Sequence, residues 1–299
     1  MTSPASWSWI VFTLIAAAAQ TVRNATQREL TAKLGTVGAT HVRFLFGLPF
    51  ALIFLGGVAV VSHTLPPQPG PVFWPWVLLG ALMQIAATAL MLAAMGERSF
   101  VVAIAYIKTE PIQVALFGLL FLADHITPAM GAAILIATAG VVVMSVKRGA
   151  AAGGIRPTII GLAAGGCFAL SAIGYRGAIL SLHDPNFVMA ATFTVAVGLA
   201  VQTLLLTGYL FARDRAVLHA IVQAWRPSLF AGFMGALASQ FWFLGFATAT
   251  AASVRTLALV EVLFAQGISR FVFKQPTTAR EGLGIVLIVA GVALLVWAY

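Results

Sequence analysis

AIAYIKTEPIQVALF, residues 103–117, sets Lys108, Glu110, Pro111 and Gln113 inside an otherwise apolar run. Opposite charges and a proline are expensive in a hydrophobic segment and are seldom there for stability alone. A related stretch, ASVRTLALVEVLFAQ, recurs at residues 252–266.

The rest of the chain has the composition of a bilayer protein. Of its 299 residues 61% are hydrophobic and only 8% charged, with a mean hydropathy of +1.01. Soluble domains carry about 25% charged residues, so the fold class expected is an all-α polytopic membrane protein. The length suits roughly ten spans of about 20 residues with short loops, which leaves no room for a separate soluble domain. The net charge of +9 is no argument for nucleic acid, because basic loops beside spans set orientation and meet anionic lipid heads. The partners expected are a small-molecule substrate and the lipid bilayer.

Other chemistries find no footing. Cys167 is the single cysteine, and the five histidines lie apart, without metal-ligand spacing. There is no Walker A sequence, and no His/Asp arrangement accompanies Ser171. No metal, no cofactor and no enzymatic activity are expected.

Ten spans are read at about Trp7–Val22, Ala39–Val61, Phe73–Met95, Phe100–Leu122, Pro128–Val146, Thr158–Leu180, Asn186–Phe211, Pro227–Ala247, Ala252–Phe273 and Gly282–Trp297. The polar stretch RNATQREL (23–30) is taken as the exit from the first span. TLPPQPGP (64–71) is the turn after the second. KRGAAAGGIRP (147–157) is a basic connector near the midpoint.

The two halves, residues 1–149 and 150–299, resemble each other. At an offset of 151, Glu110 falls on Glu261, Thr127 on Thr278, Gly131 on Gly282 and Gly140 on Gly291, without a gap. Five spans per half is an odd number, so a second copy enters the membrane the opposite way round. Loop charges agree with this inversion. In the first half the basic loops follow spans 1 and 3 (Arg28, Lys33, Arg98); in the second they follow spans 7 and 9 (Arg213, Arg215, Arg226, Lys274, Arg280). Counted literally, this bias puts the termini away from the cytoplasm.

Two five-helix repeats, a glycine-bearing turn into spans 5 and 10, and polar residues in spans 4 and 9 resemble the drug/metabolite transporter superfamily. Within it the chain is similar to the EamA-like ten-helix transporters. The motifs are a basic residue opening span 2 (Arg43 in THVRFLFGLPF) and an acid at the span 4–5 turn (Asp124 in FLADHITPAMG); the second half reads Lys274-Gln275-Pro276 at that turn, without the acid. The resemblance implies a secondary transporter with a central cavity between repeats, and termini in the cytoplasm.

The candidate site is built from the polar residues of the spans. Tyr106, Glu110 and Gln113 share a helix face. Lys108 lies about 200° round the helix from Glu110, so the two cannot pair locally and each needs a partner elsewhere. Pro111 is expected to free a backbone carbonyl one turn earlier. Glu261 is the counterpart of Glu110, whereas Lys108 has only Leu259 opposite it. The same charges admit a bland reading as an ion pair between helices. Arg255 either faces the cavity or snorkels. Gln84 and Gln240 either face the cavity or bond a neighbouring helix; Trp242 either lines the cavity or packs on lipid. Tyr175 and Arg176 are read mainly as interfacial anchors, and Gln20 and Asn24 end the first span.

Glu110 and Glu261 are the candidates for binding a coupling proton. Lys108 and Arg255, with either Arg43 or Arg176, favour a carboxylate or phosphate on the substrate. The function expected is a secondary active transporter of the inner (plasma) membrane. It would move an amino-acid-like zwitterion or organic anion by alternating access, with proton-coupled export. The alternative is an exchanger of phosphorylated or nucleotide-type anions, with Lys108 and Arg255 as the anion clamp.

Overall fold

The computed structural model describes residues 7–95, 106–145, 155–271 and 278–299. Among the described residues the chain is helical, with no strand. The helices are α1 (Ser8–Leu45), α2 (Gly47–Ser62), α3 (Phe73–Met95), α4 (Glu110–Phe121), α5 (Pro128–Ser145), α6 (Ile155–Ser181), α7 (Phe187–Arg213), α8 (Arg215–Gln223), α9 (Trp225–Thr248), α10 (Ala251–Leu257), α11 (Glu261–Phe271) and α12 (Ala279–Ala298).

Among the described residues six helical segments are long and apolar enough to cross a membrane: Glu29–Ser62, Phe73–Ala93, Thr158–Ser181, Phe187–Arg213, Trp225–Thr248 and Ala279–Ala298. Glu110–Phe121 and Pro128–Met144 are shorter apolar helices. The chain is therefore a polytopic membrane protein. The expected first, fourth, fifth and ninth spans are not among the six. The first is interrupted by polar residues from Gln20 to Gln27. The start of the fourth, including residues 103–105, lies outside the described residues. The fifth, as described, is short. A turn of 3-10 helix at Ala258–Val260 divides the ninth into α10 and α11. Of the loop cations, Arg98, Lys147, Arg148 and Lys274 also lie outside the described residues, as do Gln275 and Pro276.

The polar stretch at 23–30 is helix rather than an exit loop. Gln20, Arg23, Gln27, Leu30 and Leu34 recur at three- and four-residue spacing, which makes one helix face, and the last four are buried. The chain turns back only at Gly35 (φ 68°, ψ 175°). Gln27 Nε2 donates to the Ala39 carbonyl at 2.9 Å; in an unbroken helix those residues would be about 18 Å apart. This backbone region is essentially restricted to glycine. Gly35→Ala is therefore expected to cost about 1–3 kcal/mol, although no atom lies within 4 Å of a Cβ placed there. The check is the thermal midpoint in detergent. Gly56→Ala, in open space inside α2, serves as the control and should be neutral or stabilising.

Packing inverts the soluble pattern. Leu52, Ile53, Val60, Leu120, Leu204 and Val286 point outward, while Arg23, Gln27, His41, Arg43, Gln84, Gln202 and Arg255 are buried. Such an arrangement suits an apolar solvent outside and a polar cavity within. The most extensive helix contacts are α1 on α9, α3 on α6, and α5 on α12. Small residues let these backbones approach. A Cβ on Gly140 would lie 2.8 Å from the Gly284 carbonyl, and one on Gly291 would lie 2.5 Å from the Ala137 nitrogen. Thr127 and Thr278 cap the starts of α5 and α12 by accepting from the backbone N–H of Met130 and Glu281. The basic loop after α7 folds into the short helix α8, with Asp214 as its N-cap.

Candidate functional site

The site forms where two helices begin. Ahead of α4, Thr109 closes a turn: its N–H and its hydroxyl both donate to the Tyr106 carbonyl, at 3.1 and 2.7 Å. Pro111 follows in the first turn of α4, where a missing N–H is tolerated. The proline thus stands in the first turn of a helix, with Lys108 and Thr109 forming a turn ahead of it. In the second half the 3-10 turn at Ala258–Val260 performs the same break, and α11 begins at Glu261. Glu110 and Glu261 both sit in the first turn of a half-helix, where free N–H groups and the helix dipole favour an anion.

Neither carboxylate is satisfied within its own half. Lys108 forms an ion pair with Glu261. Arg255 Nε lies 3.0 Å from Glu110 Oε1, in ionic contact but out of line for a hydrogen bond. Gln20 joins the two pairs. Its Nε2 is 3.4 Å from Glu261 Oε2, and its Oε1 accepts from Trp242 Nε1 at 3.1 Å. The Arg255 guanidinium lies over the Trp242 ring, 4.5 Å from the centroid, a favourable cation–π position. Lys108, Glu261, Gln20, Trp242, Arg255 and Glu110 therefore form one connected network.

Beside the network is a small cavity of about 20 Å³, bordered by Gln20, Arg43, Gln84, Tyr175, Trp242 and Arg255 among others. That volume holds about one water and no metabolite, so a substrate requires the helices to part. Arg43 Nη1 donates to Thr88 Oγ1 at 3.2 Å. The Gln84 side-chain Oε1 accepts from Ser171 Oγ at 2.9 Å, and the same hydroxyl is 3.0 Å from the Gly80 backbone carbonyl.

Of the residues expected at the site, Lys108, Glu110, Glu261, Arg255, Trp242, Arg43 and Gln84 come together. Three do not. Gln240 donates to Thr192 Oγ1 at 2.6 Å and borders an open apolar groove with Ile53, Phe54 and Phe241. Tyr106 and Gln113 are half-buried. The Gln113 amide faces Gly165 and Gly166 of α6 and reaches Thr109 Oγ1 only at 3.4 Å.

Tyr175 and Arg176 are not interfacial anchors. Tyr175 is 3% exposed, and its ring packs 4.5 Å from that of Phe243. Arg176 pairs with Asp124 at 3.2 Å and donates to the carbonyls of Phe246 and Ala249 at the end of α9. Asp124, the acid of the span 4–5 turn, is thus tied to the other half of the chain. Arg23 is buried near the network although the polar stretch around it reads as a loop. The Gln20–Arg23–Gln27 spacing was the available signal.

The sequence profile of the EamA-like transporter family matches residues 7–146. No curated protein matches the chain. Among solved structures 27 chains match. One, a protein of known crystal structure, is 16% identical and aligns over 100% of both chains with a TM-score of 0.68; at that identity the likeness speaks for the fold alone. Residues 7–146, just under half of the chain, are thus similar to the EamA-like transporter family, and that similarity points to a membrane transporter of the drug/metabolite superfamily.

Proposed function

We propose that this chain is a secondary active transporter of the inner membrane. It is built as ten spans in two inverted five-helix repeats, residues 1–149 and 150–299. It carries a small polar metabolite, an amino-acid-like zwitterion or an organic anion, by alternating access. Coupling is to protons, and export is the direction expected. The observation carrying this reading is the crossed pair of ion contacts, Lys108 with Glu261 and Arg255 with Glu110, beside a small polar-lined cavity.

Several features support it. Positions that match at the 151-residue offset do equivalent work: Glu110 and Glu261 begin half-helices, and Thr127 and Thr278 cap the next helix. Half-helices meeting near the middle of a repeat-built transporter are where substrates and coupling ions bind. The crossed pairs join the two halves, so parting the halves around a substrate must break them. Protonating Glu110 or Glu261 removes one partner's charge and weakens the pair. A substrate amine that competes with the proton for these carboxylates gives antiport, which drives export.

The test is transport in proteoliposomes with and without a pH gradient. The gradient should accelerate flux in the native protein. In Glu110→Gln and Glu261→Gln, flux should fall to the level seen without a gradient. Gradient-independent flux in the native protein, together with normal transport by both variants, would sink the coupling. The anion-exchanger alternative keeps one observation in its favour. Lys108 and Arg255 already hold carboxylates, but Arg43 borders the cavity with its Nε unpartnered. Counterflow with phosphorylated compounds separates the two readings.

A further inference from the structure

The interior contains more cations than the ion pairs use. Lys108 and Arg255 are matched by Glu261 and Glu110. Arg23 and Arg43 have no carboxylate partner among the described residues. They are 1% and 5% exposed, and Arg23 lies within electrostatic reach of both Arg43 and Arg255. Arg23 Nη2 donates to Asn24 Oδ1 at 2.7 Å, while its Nε and Nη1 meet no acceptor. Arg43 spends Nη1 on Thr88 and leaves Nε without one. Unmade hydrogen bonds on buried guanidinium groups are costly, and uncompensated buried charge more so.

Both side chains run past one glycine of α9. A Cβ on Gly235 would lie 3.1 Å from Arg43 Cγ and 3.5 Å from Arg23 Cδ. The bare backbone therefore admits the two stems side by side. Paired guanidinium forks are suited to a planar carboxylate or to a phosphate. Arg43 and Arg255 both border the central cavity, whereas Arg23 stands behind that lining, beside Arg43 at Gly235.

We propose that the central site takes a molecule with two acidic groups, one of which, a carboxylate or a phosphate, is held by Arg43 together with Arg23. This rests on the transporter reading above and narrows its substrate class. The second acidic group faces Arg255, which it shares with Glu110. The excess positive charge is then compensated only when the ligand is bound.

The experiment is a thermal-shift titration of the full chain in detergent with four probes. They are succinate (two carboxylates), 3-phosphoglycerate (carboxylate and phosphate), lactate (one carboxylate) and alanine (a zwitterion). Succinate or 3-phosphoglycerate is expected to bind at least about tenfold more tightly than lactate or alanine, and the better of the two identifies the second group. Arg23→Gln should bring that preference toward parity. It should also leave the ligand-free midpoint equal to or above the native value, because it removes an unmatched buried charge. Arg23→Lys, which keeps the charge, should keep part of the preference.

The proposal is overturned if lactate or alanine binds as tightly as the two-acid probes, or if no probe binds. It is equally overturned if Arg23→Gln lowers the ligand-free midpoint and leaves the preference intact, the result expected of a purely structural arginine. Proteoliposomes keep the two readings apart. Transport of alanine alone overturns the two-acid site and leaves the transporter reading standing. Tight binding of a two-acid probe without flux supports the site and removes the transporter reading.

Discussion

Lys108→Glu is expected to lower stability by about 3–5 kcal/mol and to abolish transport. In the native protein Lys108 neutralises Glu261 across the two halves of the chain. The substitution leaves Glu261 without its cation and sets a second carboxylate against it. The two side chains are 23% and 11% exposed, so water screens the repulsion in part and the lower end of the range applies. The double variant Lys108→Glu with Glu261→Lys restores opposite charges and should recover most of the lost stability, because partners in contact are not additive. Gln20 can offer oxygen to the new lysine only by turning its NH2 toward the Trp242 N–H that it now accepts from, so recovery should fall short of complete. The measurement is the thermal midpoint of the three proteins in one detergent. A single variant as stable as the native protein would show that the contact does not hold the halves together.

Gly174→Val should prevent accumulation of folded protein. A Cβ at Gly174 would lie 2.6 Å from the Gly80 nitrogen, 2.9 Å from the Gly80 Cα and 2.9 Å from the Trp76 carbonyl. These are backbone atoms of α3 and cannot rotate away, so α3 and α6 must separate. Overpacking usually costs about 1–3 kcal/mol, and the rigid neighbours put this site at or beyond the top of that range. Separation would also displace Ser171 and Tyr175, which sit on α6 beside the cavity. Gly166→Ala is the control. Its Cβ would meet only the Gln113 Oε1, at 3.0 Å, and a flexible amide can yield. Size-exclusion yield and thermal midpoint report the contrast; equal yields for both variants would argue against close α3–α6 packing as a requirement.

Much of the site was legible residue by residue. The angular separation of Lys108 and Glu110 on a helix argued against a local pair; Lys108 instead lies in the turn ahead of α4, and both residues make ion contacts with the other half. The offset match marked Glu261 as the counterpart of Glu110, and both open a half-helix. Periodicity failed at residues 23–30 because polarity outweighed spacing: a buried polar helix face and a solvated loop share a composition, and only the 3–4 repeat separates them. Gln84 and Gln240 looked equivalent by depth. One meets Ser171 beside the cavity, and the other meets Thr192 by the outer groove.

Composition and periodicity alone determine that this chain is helical, resides in a bilayer and places acids at matching positions in its two halves. These are properties of segments, set by how much apolar surface each must bury and by the spacing of its polar residues. Which cation meets which carboxylate is of another kind. Arg255 finding Glu110, Lys108 finding Glu261, Arg176 finding Asp124, and Arg23 and Arg43 finding none among the described residues all depend on which helices are neighbours and at what register. That choice is made by close approaches such as Gly80 on Gly174 and Gly140 on Gly284, between residues far apart in the chain, and no local pattern encodes it.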